Sequence, residues 1–173
     1  MQNEFEAFLK SPNRQRYLQL FALVTTADDY DPYSDELTSA VELLEANKNE
    51  AARTVLGKAM PNLLLCPRAH LYLSHIARAS GDEEQANFET YVAAACVEGI
   101  LATGNGSQQQ PYRVVRTSDE YDVVQYLDKT FEEQALIEEA DQQFDRIRCT
   151  DGTEFWFDIT TPYKRLSQRL NES

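Results

Sequence analysis

Basic residues are scarce in this chain. Lys and Arg number 16 against 29 Asp and Glu, so the formal charge is −13. That shortage argues against a general nucleic-acid binder, because phosphate recognition needs clustered Lys and Arg. It argues equally against docking on anionic lipid. Cysteine is sparse too. Cys66, Cys96 and Cys149 are odd in number, widely spaced and form no C-x-x-C, which speaks against a cysteine zinc site or a thioredoxin-type pair. They read as reduced, buried small residues. Long apolar runs are missing. Leu63 to Cys66 and Tyr91 to Cys96 are the longest, and both are far too short to cross a bilayer. Met1 to Glu6 lacks the basic segment and apolar run of a secretory signal, so a cytoplasmic location is expected. Gly and Pro are few, six each, and the first hundred residues carry few helix breakers.

What is present is enough for a packed domain. Of 173 residues, 42% are hydrophobic and 10% aromatic, a content that disordered acidic tails do not have. Tyr17, Leu18, Leu20, Phe21 and Val24 make an apolar stripe at helical spacing. Asp28 to Pro32 breaks it, since the residue before a proline is pushed out of the helical region. Ser34 or Asp35 can cap a new helix that runs to about Ala46.

A repeat follows. Leu37, Ala40 and Leu43 recur 34 residues later as Leu71, Ser74 and Ala77, and Asn47, Glu50 and Ala52 recur as Gly81, Glu84 and Ala86. Asn or Gly can take the left-handed conformation that ends a helix. The acidic residues after it start the next helix, where the dipole favours them. Ala52 and Ala86 let two helices approach closely. With this period, residues 35–102 resemble two tetratricopeptide-like helical repeats, although most of the consensus Trp and Tyr are missing. Two repeats are fewer than a free-standing array needs, so neighbouring segments must cover the ends of the stack.

Composition changes at Thr103-Gly104-Asn105-Gly106-Ser107, which marks a loop between a helical part, 1–102, and a small α+β part, 103–173, expected to fold as one cooperative unit. The helical part is read as an N-terminal helix and two hairpins. Tyr112 to Arg116 reads as a strand. Thr117 and Glu120 fit a capping box for a short helix to about Leu127. Gln134 to Glu138, Phe144 to Cys149 and Thr153 to Ile159 read as three strands. A two-residue turn at Asp151-Gly152 would put Phe155 and Phe157 on the face of Arg146 and Arg148. A three-residue loop, Thr150 to Gly152 with Gly152 left-handed, pairs Cys149 with Thr153 instead. Ile147 and Cys149 then share a face with Phe155, Phe157 and Ile159, Arg148 meets Glu154, and Arg146 lies beside Trp156. We adopt this register. It leaves Asp145 on the apolar face, near the edge. A terminal helix carries Tyr163, Leu166 and Leu170. The fold class expected is therefore α+β, helical hairpins followed by a small antiparallel sheet with one or two short helices.

Several segments in order resemble an uncharacterised bacterial family, a domain of unknown function, over about residues 86–160. They are Gly99 to Ser107, Ser118 to Asp122, Gln134 to Ile137, the lone Asp145, and Phe155-Trp156-Phe157-Asp158-Ile159. In the family pattern an S-G-D-G-T-like loop carries an Asp where this chain has Asn105. If that Asp binds a cation in the family, Asn105 weakens the site. The resemblance implies helices followed by a small sheet, and no activity.

Candidate chemistry is thin. Gly104, Asn105 and Gly106 expose backbone N–H groups that could cradle an anion, but no phosphate-loop pattern is present, and a glycine-rich helix stop is the simpler reading. Asp119, Glu120 and Asp122 in one helical turn could hold a hard cation, yet acids belong at a helix N-terminus, and Glu120 has its capping role. Arg116 and Glu120 could form an ion pair or line a polar pocket. His70 and His75, five apart, lie on different helix faces and read as partly buried, hydrogen-bonded histidines. Asp145 on an apolar face must be hydrogen-bonded or paired, by a clasp to an N–H of the Thr103 to Ser107 loop or within a pocket. No metal or cofactor is expected. Phe155 and Phe157 read as core.

Two functions remain. One is a non-enzymatic protein–protein interaction or scaffold module whose acidic skin suits a basic protein or peptide. The other is a small-ligand-binding protein or enzyme, with a site between helices and sheet near Gly104, Asn105, Arg116, Glu120 and Asp145. Basic residues gather at Arg146, Arg148, Lys164, Arg165 and Arg169, which leaves room for self-association, basic end to acidic flank.

Overall fold

The computed structural model describes residues 1–172, with side chains as far as Gln168. Among them, helices come first and a four-stranded sheet follows, an α+β fold. The chain opens on two helices where one was expected, α1 (Gln2–Lys10) and α2 (Arg14–Thr25). Ser11, Pro12 and Asn13 separate them, and the Asn13 side chain caps α2 by accepting the Arg16 N–H at 3.1 Å.

Two helical hairpins follow, α3 (Glu36–Glu45) with α4 (Asn49–Lys58), and α5 (Pro67–Ala79) with α6 (Glu83–Leu101). Their turns are copies of one another at an offset of 34 residues. Asn47 and Gly81 are both left-handed, with φ of 58° and 81°. The next N–H in each turn reaches back to the same kind of carbonyl, Lys48 to Leu43 at 2.8 Å and Asp82 to Ala77 at 2.9 Å. Ala52 and Ala86, the matched small residues, are fully buried.

The sheet contains β1 (Tyr112–Arg113), β2 (Phe131–Glu139), β3 (Gln142–Cys149) and β4 (Glu154–Asp158), in the order β1-β4-β3-β2. Strands β2, β3 and β4 are antiparallel. The added edge strand β1 runs parallel to β4, so the sheet is mixed. Only two residues of the expected 112–116 strand pair there. Beyond them Tyr30 Oη donates to the Val115 carbonyl at 2.7 Å, and the Arg116 N–H donates to Asp119 Oδ2 at 3.1 Å. These bonds take the backbone away from the ladder. At its other edge β2 starts three residues early. Arg148 ties that extension down through Glu132 at 3.2 Å and Glu133 at 2.8 Å.

The β3–β4 hairpin has the three-residue loop. The Cys149 N–H donates to the Thr153 carbonyl at 2.8 Å, Gly152 has φ of 83°, and Arg146 pairs with Trp156. Ile147, Cys149, Phe155, Phe157 and Ile159 are buried on one face. They meet Val123 and Val124 of α7 (Asp119–Tyr126), and residues of α1, α2 and α6, in the larger core cluster. A smaller core lies within α3, α4 and α5. The chain closes on α8 (Thr160–Glu172), which Arg165 fastens by donating from Nε to the Tyr30 carbonyl at 2.9 Å. The expected roles of Arg169 and Leu170 lie outside the described side chains. All three cysteines are free and buried. No described helix is long and apolar enough to cross a membrane.

Candidate functional site

The five residues singled out in the sequence fall in two places. Gly104 and Asn105 belong to a tight loop whose N–H groups are already engaged. The Asn105 and Gly106 N–H groups both donate to the Gln110 carbonyl, at 2.9 and 3.1 Å, and the Asn105 side chain accepts the Ser107 N–H at 3.0 Å. The loop therefore offers no anion nest. It is a clasp: the Gly106 carbonyl accepts the Trp156 N–H at 2.8 Å. Gly104 is needed because a Cβ there would collide with the Gln110 and Pro111 carbonyl oxygens.

Arg116, Glu120 and Asp145 lie on the far side of the sheet's inner face, but Arg116 does not join the other two. Its buried guanidinium turns to the loop before α3, donating to the Asp31 carbonyl at 3.0 Å and to Ser34 Oγ at 2.9 Å. The expected Arg116–Glu120 ion pair is not formed, because the 31–34 carbonyls already claim the guanidinium. The capping role falls to Asp119, whose carboxylate takes the Arg116 N–H, and not to Glu120.

Glu120 points inward and meets Asp145 across the α7–β3 contact. The two carboxyl groups lie near enough for each to shift the other. Gln134 of β2 bridges them, donating from Nε2 to Asp145 Oδ2 at 2.6 Å and to Glu120 Oε2 at 3.2 Å. Asp145 is thus clasped by Gln134, not by the Thr103 to Ser107 loop, and it sits on an interior strand. Tyr121 Oη donates to Gln134 Oε1 and holds the bridge from outside. Burial, then the neighbouring Asp145, pushes the Glu120 carboxyl well up. Burial also pushes Asp145 up, against the bonds from Gln134 and Glu120 that favour its charged form. Both carboxyls are thus held above the ordinary carboxylate range, Glu120 by burial and by Asp145, and Asp145 by burial. Asp119, fully buried, is pushed up to about 7 by burial and by Asp122, with Arg116 opposing.

This cluster ties α7 to its surroundings. Asp119, Glu120 and Asp122 turn to three different partners: the Arg116 N–H, Asp145, and Arg68 at 2.7 Å. Among the described residues no group of three or more His, Cys, Asp or Glu side chains could hold a metal ion. Glu120 has 0% of its surface exposed, which leaves no atom to exchange a proton with a bound molecule.

His70 is a second buried polar centre. Its Nδ1 lies 2.7 Å from Glu89 Oε2 and its Nε2 lies 3.0 Å from the Leu64 carbonyl. The carbonyl can only accept, so Nε2 carries a hydrogen. With both nitrogens engaged, neither can serve as a base. His75 is exposed, contrary to the reading that buried both histidines.

The surface feature that sequence reasoning missed is an apolar groove of about 250 Å³ between α5, α6 and α7. Each helix presents it with residues at helical spacing: Pro67 and Leu71; Thr90, Ala93, Ala94 and Val97; Asp122, Gln125 and Tyr126. The alanines form a low floor. Leu71 and Tyr126 stand on the walls, 46% and 47% exposed. Leu71 was visible only as a repeat position, where apolar means core. Nothing local marks it as outward-facing. No family model, no curated protein and no solved structure matches the chain.

Proposed function

We propose that this chain is a protein–protein interaction module, and that the α5–α6–α7 groove receives an amphipathic helix of a basic partner. The exposed Leu71 and Tyr126 over an alanine floor carry this reading. Two large apolar side chains left in water beside a concave apolar surface lose solvent-exposed area when a helix lies between them. Small residues at Ala93 and Ala94 allow a close backbone approach, and i, i+3, i+4 positions on all three walls match the ridges of a docked helix. An acid stands at the groove. Glu98 accepts the Tyr126 hydroxyl, and the whole chain carries −13. Opposite charge on the partner would speed encounter and make it salt-sensitive.

The alternative, an enzyme using Glu120 and Asp145, has less support, because both groups are committed to holding α7. Pull-down from native cytosol at low and high salt, with the wild type and Ala94→Trp side by side, tests the interaction reading. A partner held by the wild type at low salt, released by salt and absent with Ala94→Trp, is expected. An identical retained set for both proteins would contradict it.

A further inference from the structure

A second concavity lies on the outer face of the sheet, independent of the groove. Its floor is one lateral row of side chains across three strands: Arg113 on β1, Asp158 on β4 and Phe144 on β3, which are register partners. Arg14 of α2 and Gly104 of the clasp loop stand at its sides, and the volume is about 560 Å³, within the range of small-molecule sites.

The charge here runs against the composition. The chain has nearly two acids for every base, yet this cleft contains two guanidiniums and one carboxylate. Arg113 is already oriented. Its Nη2 and Nε donate to Asp158 Oδ2 at 3.1 and 3.3 Å, and its Cζ lies over the Phe21 ring, 5.7 Å from the centroid. Asp158 Oδ1 accepts the Thr160 N–H at 3.0 Å, so this carboxylate is satisfied. Arg14 has no acceptor among the described residues. It starts a helix whose first turn holds no acid, so the helix dipole adds to its positive field. Gln142 and the three glutamines at 108–110 line the remainder and supply neutral donors and acceptors.

From this arrangement we infer that the cleft binds a small hydroxylated anion, a sugar phosphate or a sugar acid, with its charge on Arg14 and Arg113 and its hydroxyls on the glutamine amides. Guanidiniums suit both phosphate and carboxylate, and amides suit hydroxyls. Apolar ligands would find Leu18, Ala102, Pro111 and Phe144, interrupted by polar side chains.

The test is a titration of the full chain, followed by backbone amide NMR, with glucose 6-phosphate, glucuronate and glucose as probes. Saturable shifts at Thr103, Gly104 and Arg113 are expected with one or both anions, and the stronger of the two identifies the anionic group. Glucose should be at least tenfold weaker. Arg14→Glu, at an exposed side chain that bonds nothing, should weaken the anion at least tenfold while leaving the spectrum elsewhere unchanged. No saturable shift with either anion, equal binding of glucose, or unaltered affinity in Arg14→Glu would each overturn the assignment.

Discussion

Helix α7 has two faces with opposite economies of contact. Its inner face carries Asp119, Glu120, Val123 and Val124, all buried, and fixes the helix to the sheet through the Gln134 bridge and to the chain before it through the Arg116 N–H bond to Asp119. Its outer face carries Gln125 and Tyr126, both exposed, and walls off a groove that no described residue fills. The inner face binds the helix in place with polar groups that tolerate little change. The outer face keeps apolar surface in reserve. The difference teaches that burial of acid on this helix is a positioning device, and that the helix keeps its exposed apolar surface on the side of the groove.

Substitutions on the inner face should have the largest effects. Glu120→Ala removes a fully buried side chain and leaves Asp145 with one fewer partner, so a loss of about 3 kcal/mol is expected from urea denaturation. Glu120→Gln keeps the shape and a donor toward Asp145. Its cost should stay under about 1 kcal/mol, because the amide imitates the protonated acid. Equal costs for the two variants would mean that Glu120 is ionised in the folded protein.

The same face sets a pH dependence. Asp119 is raised from 3.8 to about 7 in the folded protein. The folded state then holds a proton that the unfolded state releases, so Asp119 lowers stability as pH rises from about pH 4 to about 7, and the raised Glu120 adds a fall of the same sign. For one proton the slope reaches about 1.4 kcal/mol per pH unit. Asp119→Asn should lessen the slope in this window. Stability rising with pH over the same range would refute the assignment.

On the outer face, stability should barely move. Tyr126→Ala and Leu71→Ser are expected to stay within about 0.5 kcal/mol of the wild type in thermal unfolding, since both side chains are about half exposed. A cost above about 2 kcal/mol would show that these residues belong to the core and would break the contrast between the faces.

Much of this was legible in sequence, and the unread parts have physical causes. The 34-residue repeat foretold two identical turns because Asn and Gly are the residues that accept positive φ. The hairpin register followed from where Phe155 and Phe157 had to go. Asp145 was rightly placed on the apolar face, but its partner was not. Gln134 lies on a different strand, and only the β2–β3 register brings it to the pair. Arg116 was read as a partner of Glu120, whereas tertiary structure offered it the 31–34 carbonyls. The groove was invisible for a simpler reason. Apolar positions on α5 and α6 look alike whether they face the core or the solvent, and only the third wall from α7 reveals which.

The most direct test of the groove is a binding titration with a synthetic amphipathic helix about five turns long, Leu on one face and Lys on the other, against its twin with Glu in place of Lys. We expect the Lys peptide to bind at low salt, to weaken as salt rises, and to lose at least tenfold in affinity with Ala94→Trp, while the Glu peptide does not bind. Equal binding of the two peptides, or full affinity in Ala94→Trp, would contradict the reading of this chain as a module that receives a basic helix.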